Sequence, residues 1–459
     1  MNTRKFTVNP PVNPAPAAAP ELQAVLDPQK KRFLYKLTAV ISGGMFIDGF
    51  ILGGIGLVMP TMTEDLGLSL TWQGLIGASA LIGIFLGGPL GGYLADKVGR
   101  KPMFVVDLAI FLVGSAAQFF VAEAWHLFVI RLLMGLAIGA DYAIGWPLLA
   151  EFSPARLRGK LLAAQEVAWY IGYLGSYALG YFMASTIDAD WRIILGMSTV
   201  PSLIVFLLRL GTPESPRWLI SKGRVDEGMA IAREYMEDGD IRDMESEKRQ
   251  PTSFRRLFSR EYRKSTIFIC MFWFCNVTPY FAIATFAPIV LESLGVEDGL
   301  SGALLLNGVV VAGAVAAMFL IERVGRRLLA IPPMWTSAVA LVAIGLLADV
   351  SPLVILVCFV TFSFANALST ALTGVYPGEI FPTEIRGAGV GFATAFSRIG
   401  AAAGTFILPI SVNGLGVGAT MLIAAGICVV GAVISHYLAP ETKGLSLNET
   451  SAPLGKAAG

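Results

Sequence analysis

The sequence predicts an all-α polytopic membrane protein of twelve transmembrane helices, arranged as two pseudo-symmetric six-helix bundles. Three observations carry that expectation. Of 459 residues, 55% are hydrophobic and only 15% charged, too little charge to cover soluble domains of this length. Apolar runs long enough to cross ~30 Å of hydrocarbon recur at 34–59, 72–95, 102–122, 126–150, 160–184 and 191–211, then at 265–292, 300–321, 328–348, 352–379, 388–412 and 416–438. The two sets of six also echo each other. "EFSPARLRG" (151–159) and "EIFPTEIRG" (379–387) share E-x-x-P-x-x-x-R-G, and "LADKVGRK" (94–101) answers "LIERVGRR" (320–327). A parallel repeat of this kind surrounds a central cavity.

Each segment follows from composition. Residues 1–32, with "VNPPVNPAPAAAPELQ", are expected to form a disordered tail. The first bundle is placed at 33–211 and the second at 263–439. Between them the charged stretch 212–262 has the periodicity of short amphipathic helices, and 440–459 forms a second tail. Fifty glycines suit close helix approach in lipid.

Net charge is +1, but its distribution alternates. "PTMTEDLGLSLT", "STIDAD", "LESLGVEDGL", "ADVSP" and "SVNGLGVG" contain no Lys or Arg, whereas "DKVGRK", "SPARLRGK", "ERVGRR" and "FPTEIRG" are rich in them. The positive-inside rule places both termini and the basic loops in the cytoplasm of a multi-pass cell-membrane protein. Cys270, Cys275, Cys358 and Cys428 fall inside spans without CxxC spacing and are read as packing residues. His126 and His436 stand at helix ends in different halves, and neither a P-loop nor G-x-S-x-G occurs. No enzyme, ATP-driven pump, cofactor, metal site or nucleic-acid partner is expected. The expected partners are a small-molecule substrate, a proton and the bilayer, with the chain a monomer.

Buried charge points to the function. Asp48, in "GGMFIDGFILGG", stands midway along the first span, where an ionised carboxylate costs ~2.5–3.5 kcal/mol. Arg131 lies near the outer end of the fourth span, Asp141 below it, and Glu166 two turns into the fifth. Counting rise per residue, Asp48 falls between the depths of Asp141 and Arg131. Opposite charges at compatible depth pair or line a wet cavity. Burial disfavours the charged form of a carboxyl, which lets it exchange a proton near neutrality. A neutral, hydrogen-bonded structural acid is the other reading of Asp48.

Arg398 stands near the middle of the eleventh span with no acid beside it, and a planar fork suits a carboxylate or phosphate. A structural pairing to a neighbouring helix is the alternative. Tyr142, Trp146, Trp169, Tyr170 and Tyr173 on the fourth and fifth spans join Asn276, Tyr280 and Phe281 on the seventh and Glu166. This cavity is aromatic and poor in amides, favouring a flat or carboxylated metabolite over a hexose. At the cytoplasmic ends, Asp96 sits between Gly92 and Gly99, beside Arg100. A carboxylate there can face the positive end of a neighbouring helix, worth roughly 0.3–1 kcal/mol. The repeated motifs add Glu151, Arg158, Glu322, Arg326, Glu379 and Arg386 as candidate switch residues.

"GYLADKVGRK" resembles the loop signature of the major facilitator superfamily, G-x-x-x-D-[RK]-x-G-[RK]-[RK]. "PESPRWL" (213–219) and "PETKGLSL" (440–447) resemble its sugar-porter group, so the resemblance runs from about 33 to 447. It implies the major facilitator fold, rocking about a midplane site, with Asp96 facing the eleventh helix near Gly387 in one state only. It also implies an acid on the first helix that carries a proton and an Arg on the fourth that modulates it. Arg131 matches that Arg, opening R-x-x-x-G-x-x-x-G with Gly135 and Gly139. Asp48 matches the first acid of the D-G-[FY]-D of organic-acid symporters, with Ile51 in place of the second. Asp141, in "GADY", resembles the "GDY" of phosphate symporters.

"SRIG" around Arg398 is similar to organic-ion carriers, where the Arg meets the anion. Sugar porters read Q-Q-x-x-G-x-N on the seventh helix and carry a Trp on the tenth. Here Tyr280 and Phe281 stand near the Asn position, and Tyr376 is offered for the Trp. The expected function is proton-coupled symport of a small organic anion, an aromatic or aliphatic carboxylate. Proton-coupled sugar or polyol symport, or uniport in the same fold, are the alternatives.

Overall fold

A computed structural model describes residues 27–246, 254–285, 287, 291, 299–347 and 351–451. Most of the expected first tail (1–26), the middle of the linker (247–253), the end of the seventh span, most of "LESLGVEDGL" and "ADVSP", and the last residues (452–459) lie outside them. Every regular element among the described residues is helical.

α1 (Pro28–Gly53) and α2 (Ile55–Leu66) form the first crossing, interrupted at Gly54. α1 begins earlier than expected, so residues 28–32 are helix rather than tail. The cause is local: Asp27 caps the helix, its Oδ1 accepting from Gln29 N at 2.9 Å, and Pro28 supplies the first helical φ. α3 (Leu70–Val98), α4 (Arg100–Ala117), α5 (Ala124–Phe152) and α6 (Ala155–Ile187) follow. α7 (Trp191–Gly196) and α8 (Thr199–Arg209) share the sixth expected span. The linker holds α9 (Pro216–Ser221), α10 (Val225–Tyr235) and α11 (Asp238–Ser246).

The second half comprises α12 (Arg263–Thr285), α13 (Gly299–Val324), α14 (Arg326–Leu347), α15 (Pro352–Thr370) and α16 (Leu372–Ile380). α17 (Thr383–Leu438) carries both final spans and breaks only at Gly416, whose φ of 84° favours glycine. A short α18 (Leu447–Thr450) closes the described chain, so part of the second expected tail is structured.

Among the described residues eleven stretches are long and apolar enough to cross a bilayer, and the protein is a multi-pass membrane protein. The fifth expected span, α6, is not among them although it runs 33 residues. Its inward face carries Gln165, Glu166 and Tyr170, which lower its apolar content.

Glycines set the helix spacing. A Cβ on Gly49 would lie 2.0 Å from Trp169 O, and one on Gly172 2.0 Å from Phe46 O, so α1 and α6 touch backbone to backbone. α3 and α17 meet the same way across the two halves. A Cβ on Gly391 would lie 2.1 Å from Gly88 O, and one on Gly92 2.7 Å from Gly387 O. At the opposite end Asp65 accepts from the Trp191 indole at 3.1 Å and pairs with Arg192 at 2.8 Å. Those two donors hold its carboxyl below the ordinary carboxylate range.

Candidate functional site

Between α1, α5 and α6 on one side and α12 and α15–α17 on the other lies a narrow cavity of about 20 Å³, nearly closed in this arrangement. Helical periodicity builds its walls. Glu166, Trp169 and Tyr170 share one face of α6, Trp273, Val277 and Tyr280 one face of α12, and Tyr142 and Trp146 one face of α5. Thr370 and Thr373 complete the wall around Arg398.

Arg398 is the central charge. It is buried, its Cζ 5.2 Å from the Phe281 ring centroid and 5.5 Å from that of Tyr142. Its Nε and Nη1 meet no acceptor, and neither do the Trp146 indole N–H and the Tyr280 hydroxyl. Glu166 Oε1 accepts from Thr373 Oγ1 at 3.1 Å, joining α6 to α16 across the halves. Aromatic edges close the space. Trp146 meets Trp273 at 5.3 Å, Tyr170 meets Tyr280 at 5.7 Å, and Trp169 meets Phe281 at 6.0 Å. A cation flanked by π faces, with free N–H and O–H donors beside it, can seat a planar, acceptor-rich ligand.

Of the residues expected at the substrate, Glu166, Tyr142, Trp169, Tyr280, Phe281 and Arg398 line this cavity, while two others do not. Tyr173 stacks on Trp169 at 5.5 Å, behind the wall. Asn276 donates to Phe272 O at 2.8 Å and accepts from Ser369 Oγ at 2.5 Å, while Asn366 donates to its carbonyl at 3.1 Å. The amide thus fastens α12 to α15. Tyr376 also points elsewhere, donating to Pro440 O at 3.2 Å and packing on Phe268 and Phe272. Trp273, Thr370 and Thr373 were not anticipated. Extending the 3.6-residue period back from Tyr280 through Val277 reaches Trp273.

The expected pairing of Asp48 with Arg131 is not made. Arg131 Nη1 donates to Ile51 O at 3.4 Å, and no acid among the described residues pairs with it. Ile51 belongs to the last turn of α1, where a helix leaves carbonyls unpaired, and the guanidinium serves that helix end. Asp48 is fully buried, and neither of its carboxylate oxygens has a partner. Asp141 is already engaged. Arg209 grips it in two contacts, Nη1 to Oδ1 at 2.8 Å and Nη2 to Oδ2 at 3.2 Å. Asp107 Oδ2 lies 3.5 Å from the same Nη1, and the guanidinium rests 4.4 Å above the Phe104 ring. Neither Asp107 nor Arg209 was foreseen.

At the basic-loop end the repeated motifs build two matching networks. Glu151 pairs with Arg100 at 2.7 Å and with Arg386, from the other half, at 3.3 Å, and the Ser215 hydroxyl donates to it. Glu214 caps α4, accepting from Arg100 N at 3.0 Å and Lys101 N at 3.1 Å. In the second half Glu379 pairs with Arg326 at 3.0 Å and accepts from Thr442 Oγ1, while Glu322 holds the same Arg at 2.8 Å. Glu441 caps α14 through Arg326 N and Arg327 N.

Both caps follow left-handed turns at Gly99 (φ 117°) and Gly325 (φ 88°), a conformation glycine adopts without strain. Arg158 donates to Ala150 O, Ser153 O and Leu445 O. Asp96 accepts from the Ala388 N–H at the start of α17, beside Gly387, and Trp218 Nε1 donates to its carbonyl at 3.1 Å. In this arrangement the basic-loop end is shut.

Known proteins of this build fit the geometry. The profile of the family described as sugar (and other) transporter matches residues 35–453. The chain is 38% identical over 416 residues to the inner membrane metabolite transport protein YgcS of Escherichia coli (strain K12), covering 91% of this chain and 93% of that one. It is 27% identical over 385 residues to the niacin transporter NiaP of Acinetobacter baylyi, covering 82% and 87%. Its fold matches the major facilitator superfamily proton:xylose symporter XylE, bound to 6-bromo-6-deoxy-D-glucose. That match has a TM-score of 0.82 at 22% identity and covers 92% and 99% of the two chains. The chain belongs to the sugar (and other) transporter family and has the major facilitator fold, a transporter rather than an enzyme.

Proposed function

We propose that this protein is a proton-coupled symporter of a small organic anion, an aromatic or aliphatic carboxylate. It works by alternating access, as a monomer in the cell membrane, with both termini in the cytoplasm. The observation that carries this reading is Arg398, buried between Tyr142 and Phe281 with Nε and Nη1 unpartnered. The nearby Trp146 indole offers a further donor, and the Tyr280 hydroxyl can donate as well. A carboxylate satisfies such a set and its ring stacks on the aromatic walls. A hexose would bring several hydroxyls that need acceptors, and among the described residues the cavity offers the Glu166 carboxyl and hydroxyls but no amide.

Niacin, carried by one relative, is a flat aromatic carboxylate. Proton coupling is supported by Asp48, which can stay fully buried without a partner only by binding a proton. The proton symport of XylE points the same way. Sugar symport is the second reading, favoured by the family description and by XylE.

The experiment compares a carboxylate with its neutral amide in reconstituted vesicles. A charge-assisted hydrogen bond contributes ~1.5–3 kcal/mol, roughly ten- to a hundred-fold in affinity. Wild type should prefer the acid by that factor. Arg398→Lys should keep part of the preference, having charge without the fork, and Arg398→Ala should lose it. If wild type carries a neutral hexose well and Arg398→Ala carries it equally well, the anion reading fails.

A further inference from the structure

We infer that the coupling protons are held by a buried cluster beneath the cavity, Asp107, Asp141 and Arg209, and by Asp48, its link to the substrate. The inference rests on the proton-coupled reading above and names the site where those protons reside.

Position comes first. Asp107 lies seven residues from the start of α4 and Asp141 eleven from the end of α5, or ~10 and ~16 Å above the basic-loop ends of their helices. The cluster therefore sits between the shut end and the cavity. Gly44 packs directly on it, for a Cβ there would lie 1.7 Å from Arg209 Nη2 and 2.6 Å from Asp141 Oδ2. Asp48 is one helical turn further along the same face of α1. On the far side, Tyr142 follows Asp141 in the chain, lines the cavity and flanks Arg398.

Charge decides the rest. Asp48, Asp107, Asp141 and Arg209 are all buried. The other buried bases of this half are spent elsewhere, Arg131 on Ile51 O, Arg100 on Glu151, and Arg158 on Ala150 O, Ser153 O and Leu445 O. Arg209 is the ion-pair partner of Asp107 and Asp141, and Arg398 meets Asp48 only at longer range, so three ionised carboxylates would leave unpaired negative charge away from water, which is prohibitive. Arg209 satisfies Asp141 through both oxygens, and Asp107 reaches the same Nη1 at 3.5 Å. With one guanidinium serving two buried carboxyls, the more weakly held Asp107 keeps a proton. Asp48, with no partner, holds a second. The groups facing the cluster are Asp48 from α1, Tyr142 from α5, Arg398 from α17 and, through Tyr142, Glu166 from α6.

Coupling follows from the shared neighbour. Ionised Asp48 attracts the Arg398 guanidinium and so competes with a substrate anion, while protonated Asp48 leaves Arg398 to the anion. When the basic-loop end opens and water enters, the O–H protons of Asp48 and Asp107 pass to it. Asp141 stays neutralised by Arg209. Two protons and the anion thus bind together and leave together.

The test uses the full chain in vesicles with labelled nicotinate, and benzoate if nicotinate is not carried. Each proton coupled to a one-unit pH gradient supports about ten-fold accumulation, so the two held by Asp107 and Asp48 support about a hundred-fold. Wild type should reach at least that level. In Asp107→Asn the ratio of gradient-driven accumulation to gradient-free exchange should fall about ten-fold. Asp107→Glu should retain coupling with a displaced pH profile, which a merely structural carboxyl would not show. If wild type ignores the gradient, the proton-coupled reading itself fails. If wild type is coupled and both variants keep its ratio and pH profile, the cluster is not the proton site. Should Asp107→Asn lose exchange altogether, the pH profile of Asp107→Glu alone decides, displaced for the inference and unmoved against it.

Discussion

Replacing Glu151 by Gln should unlatch the basic-loop end. Glu151 is buried and meets Arg100 at 2.7 Å, Arg386 at 3.3 Å and the Ser215 hydroxyl. Gln keeps the shape and the Ser215 contact but leaves two buried guanidiniums facing a neutral amide. Breaking a buried pair from one side costs ~3–5 kcal/mol. That penalty applies only while the end is shut, because opening hydrates both arginines. The ratio of open to shut molecules should therefore rise roughly a hundred- to several-thousand-fold. Leu162→Cys reports it. Leu162 is buried on α6, its Cδ1 3.5 Å from where a Cβ on Gly378 of the opposite half would sit. A permeant maleimide should alkylate this thiol at least ~100-fold faster with Glu151→Gln than without, in a background lacking the half-buried Cys358. Glu379→Gln should have a smaller effect, since Arg326 keeps Glu322 at 2.8 Å. Equal alkylation rates for Glu151→Gln and its parent, with both proteins folded, would refute the reasoning.

Asp96→Asn should slow transport severely while substrate affinity, read by equilibrium binding, stays within a few-fold. The carboxyl meets the start of α17 rather than the cavity, so a large affinity loss at unchanged turnover would contradict its role. Topology is checked by thiol labelling of intact cells. A cysteine replacing exposed Asp188 should react with an impermeant reagent from outside and one replacing exposed Lys101 should not, whereas the reverse pattern overturns the cytoplasmic placement of both termini.

Much of the fold can be read from the chain because lipid imposes a simple rule of length and polarity, and because the repeats place equivalent residues at equivalent helix ends. Glu151 and Glu379 declare themselves through shared spacing. The failures have a common physical origin. Counting rise along a helix yields depth but not rotation about its axis, and Asp48 and Arg131 share a depth without facing each other. Tyr173 and Asn276 stand at the right heights on the wrong faces. Arg209 looks like an ordinary cation at the end of its span, and only the approach of α8 to α4 and α5 turns it inward onto Asp107 and Asp141. Asp107 was within reach of the rule that singled out Asp48, since it too interrupts an apolar run.

The bare seam between α3 and α17 bears on how a rocking transporter stays fast. Where Gly88 meets Gly391 and Gly92 meets Gly387, peptide groups of the two halves touch directly, with the Asp96 carboxyl the side chain beside Gly387. Parting them frees no rotamers, and rejoining them freezes none, so the seam itself adds little entropic drag in either direction. Cohesion is delegated to the flanking ion pairs, which water can take over when the end opens. The moving parts then behave like two smooth plates held by a clasp: the clasp sets which way they rest, and the plates set no toll of their own. A single methyl on the seam would act as a wedge, holding the plates ajar whatever the clasp does.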